Sequence, residues 1–312
     1  MPAGAKFWLA VLGAGALSGG LYLMVTVGTP GALVLAYIAQ LPLFLVGLWS
    51  GVAATALAGA VAAAMALTAR GMAIAAVFAV AFLMPVLVLV RQALLSRRNP
   101  AGETEWYPPG LLTGWLVGIG LVLGGFSMLF LAMTGGVEAA VRAFVGHVYD
   151  AAKTALPRGA APMSRETAVD MMAGYLPGMA VSSLLVMTAV NGTLAQGVLT
   201  RFGLNRRPSP DIVKLDLQVA LVAVFAVVLA AGALLPGDVG YMARNLVPAV
   251  LVGGVLSGLA VVHAAVRKLA ARTWMLIAVY LAAALLVWPI FLLAAVGMAE
   301  PFVNLRRRLA GV

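Results

Sequence analysis

The side chains that most often carry enzyme chemistry are scarce in this chain and lie outside its apolar segments. The sequence has no cysteine and two histidines, and its ten Asp and Glu residues all fall in predicted loops or at predicted helix ends. This pattern provides no thiolate, no histidine-rich metal site and no carboxylate at mid-membrane depth. We therefore expect no catalysis, no metal and no cofactor.

One pair of residues, Ser257 and His263, invites a hydrolase interpretation. A separation of six residues places the two side chains on different faces of a helix, and the G-x-S-G pattern of rhomboid-type proteases is absent. The chain also lacks a G-x-x-x-x-G-K-[ST] phosphate-binding loop. Any ATP hydrolysis linked to its function would therefore come from partner ATPase subunits.

The polar side chains with the most informative spacing lie in a single apolar run, Gly178–Leu199. Hydroxyl and amide groups in a membrane helix either hydrogen-bond to neighbouring helices or line a path for a solute. Our candidates for a solute- or partner-facing stripe are Ser182, Thr193 and Gln196. Our candidates for interhelical hydrogen bonds are Asn191 and Thr188. Because Asn191 and Gln196 lie on different faces, we expect this helix inside a bundle.

The elements that must position these side chains are membrane-spanning helices. Hydrophobic residues make up 63% of the 312 residues and charged residues 10%, whereas roughly a quarter of a soluble domain is charged. An apolar helix of about 20 residues crosses the hydrocarbon core of a bilayer. The runs that fit are Phe7–Thr26, Gly31–Leu48, Gly51–Thr68, Met72–Val90, Leu111–Met133, Gly178–Leu199, Leu217–Leu235, Leu246–Val266 and Trp274–Met298. We predict an all-α, polytopic transmembrane helical bundle of about nine spans, forming a single integral membrane domain over residues 1–312.

The segment between the fifth and sixth spans, residues 134–170, has a different composition. Apolar residues recur at helical spacing over Gly135–Leu156, with charged residues on the other side. We interpret the segment as an extracytoplasmic insertion that carries one amphipathic surface helix. Its predicted buried residues are Val141, Phe144 and Val148, and its predicted exposed residues are Arg142 and Lys153.

Basic residues outnumber acidic ones by 20 to 10, and they cluster at the ends of apolar runs. That position is typical of topology signals in cytoplasmic loops and not of a nucleic-acid surface. The clusters between spans are Arg91, Arg97 and Arg98; Arg201, Arg206, Arg207 and Lys214; and Arg267, Lys268 and Arg272. If the basic clusters are cytoplasmic, nine spans place Arg306–Arg308 on the outer side, against the same rule. Either the last helix breaks at Pro289 and returns, or the count is wrong by one.

Two stretches resemble a known family. The sequences VNGTLAQGVLTRFGLNRRPSP at Val190–Pro210 and AEPFVNLRRRL near the C-terminus are similar to the YybS-like family of uncharacterised bacterial predicted membrane proteins. The resemblance implies a multi-pass protein of the bacterial cytoplasmic (inner) membrane, and it implies no established activity.

A second similarity covers Pro42–Ala66, PLFLVGLWSGVAATALAGAVAAAMA. This stretch resembles the early helices of energy-coupling-factor transporter substrate-binding components, which bind a small solute and depend on ATPase subunits. The cell-shape membrane protein MreD is thought to share the same core. Two functions follow as expectations: a solute-binding membrane component of a transporter, or an envelope scaffold that docks other membrane proteins.

Overall fold

The computed structural model of the chain describes residues 4–133, 135–155 and 163–310, and most of them are helical. The predicted all-α helical bundle is confirmed, and the only strands in these residues form one short hairpin. The chain groups into two compact units. The first unit is Met1–Leu116 with Val186–Asp216, and the second is Val117–Leu185 with Leu217–Val312.

The number of spans is close to the predicted nine. Seven helical segments of the described residues are long and apolar enough to cross a membrane, and a bent pair brings the number to eight. The seven are Ala5–Val27, Gly31–Ser50, Val52–Arg70, Met72–Ala93, Pro109–Ala132, Arg165–Arg201 and Gly237–Val266. The remaining predicted span, Leu217–Leu235, corresponds to an apolar helix of 16 residues, which at about 1.5 Å per residue is shorter than the hydrocarbon core.

Helices of the first unit are interrupted several times. Its elements are α1 Ala5–Leu23, a 3₁₀ turn Met24–Val27, α2 Pro30–Tyr37, α3 Leu41–Ser50, α4 Val52–Arg70, α5 Met72–Val77, a π-helical turn Phe78–Leu83, α6 Met84–Ala93, the strands β1 Ser96–Arg98 and β2 Thr104–Trp106, and a 3₁₀ turn Ile212–Lys214. Two long helices, α7 Pro109–Ala132 and α9 Arg165–Arg201, contribute residues to both units.

Small residues let α1 and α4 approach closely in the first unit. A Cβ atom on Gly15 would lie 2.5 Å from the carbonyl oxygen of Ala58, and one on Gly19 would lie 3.1 Å from the Cα atom of Ala62. Close backbone contacts of this kind are common between membrane helices. Lipid tails are as apolar as the helix surfaces, so the hydrophobic effect does not drive these helices together and packing must do so.

The second unit contains α8 Val137–Ala155, α10 Val219–Leu234, α11 Gly237–Val266, α12 Arg272–Leu285, α13 Trp288–Val303 and α14 Leu305–Ala310. Its core has two clusters of buried side chains. Tyr241 and Val141 belong to one, and Val250 and Met298 belong to the other.

Helix α9 continues through Pro177, and α11 completes the hydrogen bonds that this proline disturbs. Because proline lacks an N–H and crowds the carbonyl group of the residue four positions earlier, the turn around it has unpaired backbone groups. The Tyr241 hydroxyl donates to the carbonyl oxygen of Ala173. The Asn245 amide bridges the next gap, since its Nδ2 donates to Gly174 O at 3.3 Å and its Oδ1 accepts from the Gly178 N–H at 3.0 Å.

The surface helix α8 lies within the predicted segment, but part of the prediction of its buried face is wrong. Phe144 and Val148 are 59% and 44% exposed, while Val141 and the unpredicted Val145 are buried. Small β-branched side chains pack against α9 and α11 there, and an apolar side chain at a membrane surface has lipid as an alternative to the protein interior. Arg142 is exposed as predicted, and the side chain of Lys153 lies outside the described residues.

The last helix breaks close to Pro289. Helix α12 ends at Leu285 and α13 begins at Trp288, with a bend of 115° between them. Helix α13 runs antiparallel to α11, because Gly254 faces Met298 and Gly258 faces Leu293. The C-terminal tail therefore lies toward the first half of α11, so the break does not return it to the side of the loop that follows Val266.

One arginine of this tail is neutralised by a buried carboxylate. Arg306 Nε lies 2.8 Å from Glu300 Oε1, and the two side chains are 10% and 3% exposed. The same carboxylate accepts the backbone N–H groups of Leu305 and Arg306, at 2.8 and 3.2 Å. Arg306 therefore does not present a free positive charge on its side of the membrane.

Candidate functional site: a polar helix break

A group of buried polar side chains in the first unit lies where α2 ends and α3 begins. Pro42 cannot donate a backbone hydrogen bond and cannot follow a helical Ile38 without a clash. The chain therefore leaves the helix after Tyr37 and resumes it at Leu41. The segment Gly31–Ser50 is still one candidate span, so this break lies within a membrane-crossing element.

Side chains from two other helices donate to the carbonyl groups at the break. Ser18 Oγ donates to Ala39 O at 2.7 Å, and Asn191 Nδ2 donates to Tyr37 O at 2.7 Å. Non-helical backbone at membrane depth is tolerated where protein groups satisfy it in this way. We call Ser18, Gln40 and Asn191 the helix-break cluster.

Gln40 connects the break to a second irregular turn. Its Nε2 donates to the carbonyl oxygen of Phe82 at 3.0 Å, and Phe82 belongs to the π-helical turn Phe78–Leu83 that precedes Pro85. Turns of this kind are frequent at functional sites because they release backbone groups from the regular helical pattern.

Two acceptor atoms of the cluster have no partner among the residues that the structure describes. Gln40 and Asn191 are 0% and 1% exposed, and neither Gln40 Oε1 nor Asn191 Oδ1 has a hydrogen-bond donor within the described parts of the chain. The orientation of the Asn191 amide is fixed, because its Nδ2 lies 2.7 Å from the carbonyl oxygens of both Tyr37 and Met187. An unsatisfied buried polar atom costs about 1–3 kcal/mol. The cluster therefore contains two buried acceptor atoms that a bound donor would satisfy.

The donor that suits this cluster is neutral. The groups that form the cluster are a hydroxyl, two amides and backbone carbonyls, all of them uncharged at any pH that proteins experience. A charged ligand at this depth would need an opposite charge to offset its loss of hydration. Hydroxyl, amide or uncharged amine groups meet the two acceptors without that cost.

The residues of the predicted solute-facing stripe bond mostly to backbone atoms. Ser182 Oγ and Thr193 Oγ1 each donate to a carbonyl oxygen four residues earlier in α9, at 2.8 Å in both cases. Gln196 Nε2 donates to Arg207 O at 2.8 Å. Ser182 belongs to the second unit and the other two to the first. Thr188, predicted to be interhelical, is buried.

Sequence reasoning missed Ser18 as a site residue and treated Gln40 only as an interruption of its span. The sequence contains a usable signal, because Pro42 lies within a predicted apolar span and Pro177 directly precedes one. Each proline releases backbone groups that other helices must satisfy. Isolated polar residues in the remaining spans are the candidates to satisfy them.

The loop after α9 hydrogen-bonds to other segments of the first unit at one end of its spans. Arg207 is buried, and its Nη1 and Nη2 donate to Ala93 O at 3.0 Å and Tyr107 O at 2.7 Å. Arg206 Nη1 donates to Ser50 O at 3.2 Å. Burial lowers the pKa of the Arg207 guanidinium, and no carboxylate accepts from this group in the described residues.

Residues 20–299 of the chain match DUF2232, a family described as predicted membrane protein. The chain belongs to this family. It matches no curated protein and no solved structure. Family membership agrees with the resemblance to YybS-like proteins and with a multi-pass protein in contact with lipid. The similarities to energy-coupling-factor components and to MreD remain predictions.

Proposed function

We propose that this DUF2232 protein binds a small, neutral, polar solute at the helix-break cluster, and that it is the solute-binding membrane component of a transporter in the bacterial inner membrane. The observation that carries the proposal is the pair of unpartnered buried acceptors, Gln40 Oε1 and Asn191 Oδ1. Transporters commonly place substrate sites near the bilayer midplane at discontinuous helices, where backbone and side-chain dipoles replace the hydration of the solute.

Energy for transport would come from partner subunits. The sequence has no phosphate-binding loop, and the helix-break cluster has no ionisable group that could couple solute movement to a proton or sodium gradient. The similarity of Pro42–Ala66 to energy-coupling-factor components supports the same arrangement, since those proteins depend on ATPase subunits. The proposal requires no catalytic step by this chain.

Native mass spectrometry of the full chain, purified in mild detergent from cells grown in rich medium, tests the proposal. We expect a bound small molecule that is lost in Gln40→Met, which removes an acceptor while keeping the side-chain length. Gln196→Met is the matched control, because Gln196 already donates to Arg207 O, and it should keep the molecule.

Two results would contradict this assignment. Loss of the molecule in Gln196→Met alone would move the site to the predicted stripe. The second result has two parts: the wild-type protein carries no small molecule, and its melting temperature equals that of Gln40→Met with every polar solute of a panel. That result would mean that only water occupies the cluster.

A scaffold that docks other membrane proteins is the second candidate, and one observation favours it. Helix α8 buries a valine stripe but leaves Phe144 and Val148 exposed, and apolar side chains outside a span are a common feature of protein interfaces. Co-purification after cross-linking at Phe144 distinguishes the two functions. Recovery of ATPase subunits supports the transporter component, and recovery of envelope proteins without ATPase subunits supports the scaffold.

A further inference from the structure

The hairpin between α6 and α7 has the features of a lipid site. Its strands pair antiparallel, with Arg97 opposite Glu105 and Arg98 opposite Thr104. It connects two candidate spans, one ending at Ala93 and the next beginning at Pro109. Because each end of the hairpin is next to a span, its base lies close to the lipid headgroups.

A cavity of about 320 Å³ opens at this hairpin. Leu95, Trp106, Pro108 and Leu111 line it with apolar surface, and the Arg97 and Glu105 side chains also border it. Ligand pockets have volumes of roughly 300–1,000 Å³ and are mostly apolar with a few polar groups. Trp106 and Tyr107 are also the residue types that concentrate at membrane interfaces.

The acidic groups of the hairpin are already engaged. Glu105 Oε2 lies 2.7 Å from Arg97 Nε, and Glu103 Oε2 accepts from Asn99 Nδ2 at 3.2 Å. Arg91 and Arg98 are exposed and have no carboxylate partner in the described residues. Arg98 directly follows the cavity-lining Arg97 in β1, and Arg91 lies four residues before the cavity-lining Leu95. Two arginines close to the cavity along the chain therefore lack a carboxylate partner in the described residues.

We propose that this cavity binds an anionic phospholipid, with its apolar part against Trp106 and Leu111 and its phosphate near Arg91 and Arg98. The bilayer supplies both halves of such a ligand at the depth of the hairpin. The positive-inside pattern predicts that this end of the spans is cytoplasmic, where anionic lipids attract juxtamembrane arginines. This site is separate from the helix-break cluster and does not depend on the proposed transport function.

Quenching of Trp106 fluorescence tests the lipid site. The full chain is reconstituted in nanodiscs that contain a small fraction of either phosphatidylglycerol or phosphatidylcholine with brominated acyl chains. The Trp106 signal is the difference between wild type and Trp106→Phe. We expect phosphatidylglycerol to quench Trp106 more strongly at equal mole fraction, and the apparent affinity to fall about fivefold for each of Arg91→Gln and Arg98→Gln.

Arg70→Gln is the matched control, because Arg70 is an exposed arginine at the end of α4 that the topology places on the opposite side. It should leave the quenching unchanged. Equal quenching by the two lipids, or a preference for phosphatidylglycerol that survives Arg91→Gln/Arg98→Gln, would overturn the proposal. Complete competition by inorganic phosphate would also overturn it, since the site would then bind a free anion and not a lipid.

Discussion

Two buried asparagines, one in each unit, meet similar surroundings and end with different hydrogen bonding. Asn191 and Asn245 are 1% and 2% exposed. Each Nδ2 donates to the carbonyl group four residues earlier in its own helix and to a carbonyl group of another helix. Asn245 Oδ1 also accepts the Gly178 N–H, whereas Asn191 Oδ1 accepts nothing from the described residues.

The difference follows from what each proline leaves behind. At Pro177 the helix continues, so the disturbed turn presents both a free N–H and free carbonyl groups, and a single amide satisfies both kinds. At Pro42 the helix stops, and the groups that Ser18 and Asn191 meet are carbonyls, which use only the donor side of an amide. In the second unit, the backbone groups around Pro177 are therefore hydrogen-bonded by Tyr241 and Asn245. In the first unit, the acceptor atoms Gln40 Oε1 and Asn191 Oδ1 receive no hydrogen bond from the described residues.

Replacement of Asn245 by leucine should have the largest effect on stability. The Gly178 N–H and the Gly174 carbonyl would both lose their partner inside the protein, at about 1–3 kcal/mol each. We expect a loss of about 2–5 kcal/mol in the free energy of unfolding, measured by denaturation in mixed micelles. A loss below that of Asn191→Leu would contradict the contrast between the two asparagines.

The next largest effect on stability should come from replacing a closely packed glycine of the second unit, Gly297. A Cβ atom on Gly297 would lie 1.9 Å from the backbone oxygen of Gly254, so Gly297→Ala must separate α11 from α13. Overpacking of this kind costs about 1–3 kcal/mol. Gly125→Ala is the control, because no atom of the described residues beyond its own helical turn lies within 4 Å of its Cβ position, and it should be neutral or slightly stabilising. Similar melting temperatures for the two variants would show that α11 and α13 are not in backbone contact.

Substitutions in the helix-break cluster should change the free energy of unfolding less, and the two variants should differ. Asn191→Leu removes the hydrogen bond to Tyr37 O, which is worth about 1–2 kcal/mol between membrane helices. Gln40→Met loses one hydrogen bond to Phe82 O but also removes an unsatisfied acceptor, so the two terms offset each other to within about 1 kcal/mol. Melting temperatures of both variants, measured without added solute, test this order. A larger loss in Gln40→Met would mean that Gln40 Oε1 has a partner in the folded protein.

The sequence predicted the spans well because span length and hydropathy are local properties of the chain. The buried face of α8 was harder to predict, because Phe144 and Val145 are both apolar and only the packing against α9 and α11 decides between them. The partner of Pro177 was missed for a related reason. The predicted span begins at Leu246, while α11 begins at Gly237, so Asn245 falls one residue outside the prediction. Its role depends on contacts distant in sequence.

The smallest predicted effect concerns the hairpin, where polar groups of the first unit lie at the surface. The hydrogen bond from Arg97, and then its charge, lower the pKa of the Glu105 carboxyl. A carboxyl whose pKa is lower in the folded state stabilises that state above its unfolded pKa of about 4.3, and this contribution is lost as the pH falls through the lowered value. A nitroxide on Ala101→Cys, the only cysteine in the chain, should therefore show constant mobility from pH 7 to about 5 and rising mobility below about 4.

Glu105→Gln should remove most of this pH dependence and leave the hairpin mobile at pH 7. Because both ion-paired side chains are solvent-exposed, salt should reduce the difference between the two proteins. A pH response that persists unchanged in Glu105→Gln would show that the order of the hairpin does not depend on the ion pair between its strands.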